Sequence, residues 1–138
     1  MFRLILSMFV FALIATPAFG TPSVCDDPVG AVDTFLPPPP LDLSSDPQAC
    51  RAQCDAVAKG CTGVAKGSGQ CLKAQVEAQL NFAKAECGTL EGGEKQDCQN
   101  EVSEEQREFR AELREALKEA NAICREFRDE CRTSCDAE

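Results

Sequence analysis

From residue 109 onward the chain returns to an apolar or cysteine position every three or four residues: Phe109, Leu113, Ala116, Ala120, Cys124, Phe127, Cys131 and Cys135. Steps of that size put all eight on one stripe of an α-helix. Their eleven-residue period predicts nearly straight or slightly right-handed packing, unlike a heptad coiled coil. A second stripe precedes it, through Cys50, Cys54, Val57, Cys61, Ala65, Ser68, Leu72, Val76, Leu80, Ala83 and Cys87. Two helical arms are therefore predicted, about 47–87 and 94–135. Asp46 is the expected N-cap of the first, with Pro47 at its first helical position. Gly88 is its expected end, and Gly92-Gly93 the bend. Ser103 with Gln106 resembles a capping box, so the second arm is expected to restart there and to hold Cys98 in a looser first turn.

The cysteines relate the two arms. The residue numbers of Cys50 and Cys135 sum to 185, as do those of Cys54 with Cys131, Cys61 with Cys124, and Cys87 with Cys98. Facing residues of an antiparallel pair have a constant number sum, so eight cysteines read as four rungs of one hairpin. Cys25 and Cys71 remain and should pair. The same rule sets Leu72 opposite Leu113, Val76 opposite Phe109, Ala65 opposite Ala120, Ala58 opposite Phe127 and Ala83 opposite Val102, so large residues meet small or medium ones. Leu80 falls opposite Glu105, where the seam should be poor or locally rotated. Gly60, Gly63, Gly67 and Gly69 each cost about 1 kcal/mol against alanine in a helix. Cys61 and Cys87 nevertheless obey one sum across that stretch, so the arm should stay helical or bulge without net slippage.

The N-terminal third has no helical stripe. Residues 1–20 carry Arg3, an apolar run from Leu4 to Ala15 and the small-x-small site Ala18-Phe19-Gly20, the pattern of a signal peptide removed on export. Residues 21–46, with Pro22, Pro28 and the run Pro37 to Pro40, are expected to form an extended, proline-rich strap. Residues 47–138 are the stapled hairpin. Ten cysteines in an exported chain of 138 residues point to an oxidising compartment, secreted or periplasmic. The product is expected to have no transmembrane segment once the signal is cleaved.

Charge changes this picture in one respect. The whole chain carries −9, and −10 without residues 1–20, because Arg3 is their one charged residue. Nucleic acid is thereby disfavoured as a partner, since backbone phosphates would be repelled overall. Along the second arm, however, the charges separate when turned in helical steps of about 100°. Glu101, Glu105, Glu108, Glu112, Glu115, Glu119 and Glu126 follow one flank of the seam. Arg107, Arg110, Arg114, Lys118, Arg125, Arg128 and Arg132 follow the other. Lys59, Lys66, Lys73 and Lys84 form a row on the first arm, and antiparallel arms bring the two basic rows onto one broad face, with Asp55 and Glu77 the acids among them. The opposite side holds Val64, Cys71, Ala78, Phe82 and Ile123, where Cys71 should anchor the strap.

Catalytic chemistry has little to work with. The chain has no histidine, hence no ordinary general base at neutral pH and no triad, and it has no CxxC redox motif. Its carboxylates lie on convex helix surface, where nothing raises a pKa. Cys50-x-x-x-Cys54 and Cys131-x-x-x-Cys135 place thiols one helical turn apart, and in part this resembles the helical, cysteine-lined copper-storage proteins. Thiolates suit Cu(I), so a periplasmic Cu(I)-thiolate store is the leading alternative function. Against it, the constant sum gives every cysteine a partner, and zinc is disfavoured by the absence of CxxC and histidine. The twin CxxxC frame of Cys50, Cys54, Cys131 and Cys135 is also similar to that of small α-hairpin peptides, which include plant defence peptides and protease inhibitors. That resemblance supports an α-hairpin and implies no function here.

The resulting expectation is an all-α protein without catalytic, metal or cofactor residues. It is read as an exported binding or structural module that presents Lys59, Lys66, Lys73, Lys84, Arg107, Arg110, Arg114, Lys118, Arg125, Arg128 and Arg132 to an anionic protein or headgroup. Self-association is a further use, one copy's basic face meeting another's acidic edge.

Overall fold

A computed structural model describes residue 25 and residues 27–37 and 43–136. The signal-peptide reading of residues 1–20 and most of the Pro37 to Pro40 run lie outside the described residues. Among the described residues three helices follow in order: α1 (Pro28–Phe35), α2 (Pro47–Cys87) and α3 (Gly92–Cys135). The two long helices pack as an antiparallel hairpin, with α1 laid against both.

All five expected disulfides are present: Cys50–Cys135, Cys54–Cys131, Cys61–Cys124, Cys87–Cys98 and Cys25–Cys71. Their Cα atoms lie 5.5 to 5.8 Å apart, inside the range a bridge requires and nearer than the usual 8–10 Å between helix axes. Small side chains permit that approach. Ala65 and Ala120 are wholly buried, and Ala58 nearly so.

The core is a ladder of three separate clusters and not one continuous body. Cys50, Cys54, Cys131 and Cys135 close the open end, with Leu43 and Phe127 packed on them. Val32, Cys61, Ala65, Ala120 and Cys124 form the middle, joined by Val29, Leu36 and Ile123. Leu80, Cys87 and Val102 form the tip, with Val76, Ala83 and Cys98. Two helices alone enclose little, so the bridges carry stability that a thicker domain draws from apolar burial.

The strap is not extended throughout, because residues 28–35 form a helix. The signal was in the sequence. Asp27-Pro28 is the same cap-and-proline pair as Asp46-Pro47, and the Asp27 carboxylate accepts from the Val29 and Gly30 amides at 3.0 and 2.9 Å. Two turns are marginal in water on their own. What holds α1 is its buried face, Pro28 and Val32, set against the middle cluster, and the Cys25–Cys71 bridge just before it.

α2 begins as the sequence implies, with the Asp46 carboxylate accepting from the Ala49 amide at 2.7 Å. It then runs unbroken through its four glycines. Two of them are needed for close approach. A Cβ on Gly60 would lie 2.8 Å from Phe35 Cζ of α1, and one on Gly69 would lie 2.9 Å from Leu117 Cδ2 of α3. Gly63 and Gly67 face open space.

The bend departs from expectation. α3 starts at Gly92 and not near Glu94, so the connection is 88–91 and the glycine pair forms the first helical residues. Gly88 stays right-handed, φ −62° and ψ −24°, and donates to the Lys84 and Ala85 carbonyls. The left-handed residue is Gly92, φ +56°, where a Cβ would be strained. Cys98 lies six residues inside α3, a rise of about 9 Å, whereas Cys87 is the last residue of α2. The connection therefore climbs before α3 turns back, and the numerical centre of the cysteine pairs is not the centre of the turn.

α3 does not restart at Ser103. The Ser103 hydroxyl donates to the Gln99 carbonyl at 2.7 Å, as a mid-helix serine does. Leu80 is buried in the tip cluster beside Val102, so the seam there favours the leucine. The cost falls on Glu105, whose carboxyl is pushed up chiefly by desolvation and further by the charges of Glu101 and Glu108.

Candidate functional site: a basic groove over the middle disulfide

At the level of the Cys61–Cys124 bridge, side chains from both long helices line one open groove. Asp55, Ala58, Lys59 and Thr62 come from α2, and Cys124, Arg125, Arg128 and Arg132 from α3. Its position follows from the packing. Ala58 and Cys124 sit on the seam, and the residues one helical step to the solvent side of each are Lys59 and Arg125. The floor is rigid, since a covalent bridge and a nearly buried alanine hold the two backbones together. α1 lies over the other side of the seam, at Gly60 and Ile123, and leaves this side open.

Of the eleven bases expected on one face, the structure gathers Lys59, Arg125, Arg128 and Arg132 here. The others are strung along the hairpin. Lys73 and Arg110 each lie 3.8 Å from the Glu77 carboxylate. Lys84 donates to Gln106 Oε1 at 3.2 Å, and Lys118 approaches Glu115 at 3.4 Å. The Arg107 and Arg114 Nε groups donate to the Ser103 and Arg110 carbonyls of their own helix. Lys66 is exposed on α2.

Acid within the groove is largely spoken for. Arg132 donates to Asp55 Oδ2 at 2.6 Å, and Asp129, which does not line the groove, lies 2.9 Å from Arg128. The hydrogen bond from Arg132 is the main cause holding the Asp55 carboxyl below its ordinary range, with further help from the charges of Arg132 and Arg128. The same bond, seen from the other partner, raises Arg132. Lys59 and Arg125 have no acid partner among the described residues. The groove is thus a local positive site on a chain of charge −9. Thr62 was not anticipated as a wall residue; its hydroxyl donates to the Ala58 carbonyl at 3.1 Å. Nor was the clamp of Arg51 on Asp136, which ties the two helix ends together across the open end.

The sulfur cluster at that end has another explanation than ligation. The sulfurs of Cys50, Cys54 and Cys135 lie within 4.8 Å of one another, and Cys54 Sγ is 3.7 Å from Cys135 Sγ. Two stacked disulfides produce this spacing, and no described cysteine is free. On the α1 side Phe82 remains 68% exposed, beyond the reach of α1. Among the described residues no helix is long and apolar enough to cross a membrane.

No protein-family model, curated protein or solved structure matches this chain. The fold and the groove define a disulfide-stapled helical hairpin with a basic cleft.

Proposed function

We propose that the protein is an exported, non-enzymatic binding module whose basic helical face captures an anionic partner. One observation carries this reading: four bases from two helices line a single groove whose one acid, Asp55, is already paired with Arg132. Field focused in such a cleft steers anions locally even where the total charge is negative. Export fits the five bridges, which persist in oxidising compartments. The bridged ladder suits binding rather than catalysis, since the chain offers no histidine to act as a general base.

Chromatography on phosphocellulose at neutral pH and low salt tests it. A protein of net charge near −10 should flow through a negatively charged matrix unless one face binds. Retention is expected, with elution at lower salt for the triple variant R110E/R114E/K118E and unchanged helicity by circular dichroism. Flow-through of the unmodified protein, or equal elution of both the triple variant and R125E/R128E, refutes the face as the contact surface.

A further inference from the structure

Resting on that reading, we infer that the groove over Cys61–Cys124 is an oxyanion subsite, in which Lys59, Arg125 and Arg128 take one tetrahedral phosphoryl or sulfuryl group of the partner. Lys59 of α2 and Arg125 and Arg128 of α3 line one groove, whereas Lys73, Lys84, Arg110 and Lys118 meet polar partners elsewhere on the hairpin. A lysine presents three N–H donors and each arginine five. A carboxylate offers about four acceptor sites, all in one plane, whereas a phosphate or sulfate group has three or four oxygens directed to different sides and can be met by bases from both helices.

The groove is also prepared for such a group. Lys59 and Arg125 have no competing acid among the described residues, so neither has to break an ion pair to bind. Arg128 is half-buried and held 2.9 Å from Asp129, which limits the freedom it loses. Asp55 stands at the border of the groove and would repel an anion if bare, but Arg132 lies 2.6 Å from its Oδ2 and offsets it. Arg132 is therefore a positioning residue that neutralises Asp55, and Lys59, Arg125 and Arg128 are the ligand contacts. The bridge beneath fixes the separation between Lys59 and Arg125, because both side chains leave backbones joined within 5.7 Å at Cys61 and Cys124.

The experiment is a titration of the oxidised full chain with inorganic phosphate, with sulfate, and with acetate, each at constant ionic strength balanced by chloride. Backbone and arginine Nε resonances are followed by nuclear magnetic resonance. Saturable shifts confined to Lys59, Thr62, Arg125 and Arg128 are expected with phosphate or sulfate, and whichever binds tighter identifies the group. Acetate should bind at least about tenfold more weakly, the loss expected when about 1.4 kcal/mol of charge-assisted hydrogen bonding is missing. K59Q/R125Q should weaken phosphate binding by about tenfold or more, and K95Q, at a lysine near the hairpin tip outside the basic face, should leave it unchanged. Non-saturating shifts, equal binding of acetate, or indifference to K59Q/R125Q would overturn the subsite. Retention on phosphocellulose without saturable phosphate shifts would sink the subsite and spare the broader face, whereas saturation without retention would do the reverse.

Discussion

Replacing Gly63 and Gly67 by alanine should stabilise the protein, although both lie in the middle of its longest glycine-rich stretch. The two residues are exposed, belong to a continuous helix and would point a Cβ into open space. Each substitution therefore adds helix propensity and removes freedom from the unfolded chain without meeting a neighbour. At about 0.8–1.0 kcal/mol per site, the pair should gain about 2 kcal/mol, with some loss of additivity because the sites are one helical turn apart. The same change at Gly60 or Gly69 meets Phe35 or Leu117 at under 3 Å. There the displaced side chain offsets the propensity gain, so G60A and G69A should be neutral or destabilising. Equilibrium unfolding in guanidinium, with disulfides intact and helicity as the signal, measures all four. Equal gains at all four sites, or a loss at Gly63 and Gly67, would refute the division into packed and free glycines.

Other perturbations follow from the same contacts. A120L should cost about 1–3 kcal/mol in the same assay, because it overpacks a wholly buried seam position where the helices are held close. C25A/C71A should cost about 2–4 kcal/mol and release α1, seen as increased hydrogen exchange in residues 28–35 while α2 and α3 stay protected. Asp55 should titrate below the ordinary carboxylate value of about 3.9. Its depressed folded pKa means that the stability it contributes is present above the unfolded value and lost as pH falls through the folded one. R132Q should move that titration upward, as read by carboxyl chemical shift. Glu105 has the opposite sign, because a raised carboxyl penalises the folded state at neutral pH and the penalty disappears as pH falls below the unfolded value. E105Q should therefore be more stable than the parent at pH 7 and equal to it near pH 3.

The hairpin was legible because its information is periodic. Helical stripes and constant-sum cysteines need only residue numbers, and a helix adds the same rise at every residue, so facing pairs keep register over forty residues. α1 was legible too, through Asp27-Pro28, but the neighbouring prolines suggested extended chain and masked a cap identical in kind to Asp46-Pro47. The turn was misplaced for a different reason. Cysteine symmetry reports which residues lie level with each other and says nothing of how far the connection climbs before the second helix begins. The misread capping box at Ser103 is a local pattern that an uninterrupted helix overrides, its hydroxyl bonding back to Gln99.

The candidate site shows the same division. The expectation that eleven bases share a face follows from helical geometry and antiparallel arms, both readable from the sequence. Which four of them form a groove, and which already have partners, does not. That depends on the side of the seam that α1 covers, on Glu77 lying between Lys73 and Arg110, and on Arg132 reaching Asp55 seventy-seven positions away. The sequence by itself determined the two long helices, their register and the bridges between them, because these rest on repeats along one chain. Only the tertiary structure decided which glycines are packed, where the turn lies and where positive charge stays uncompensated, because each of these depends on what a neighbouring element places across a few ångströms.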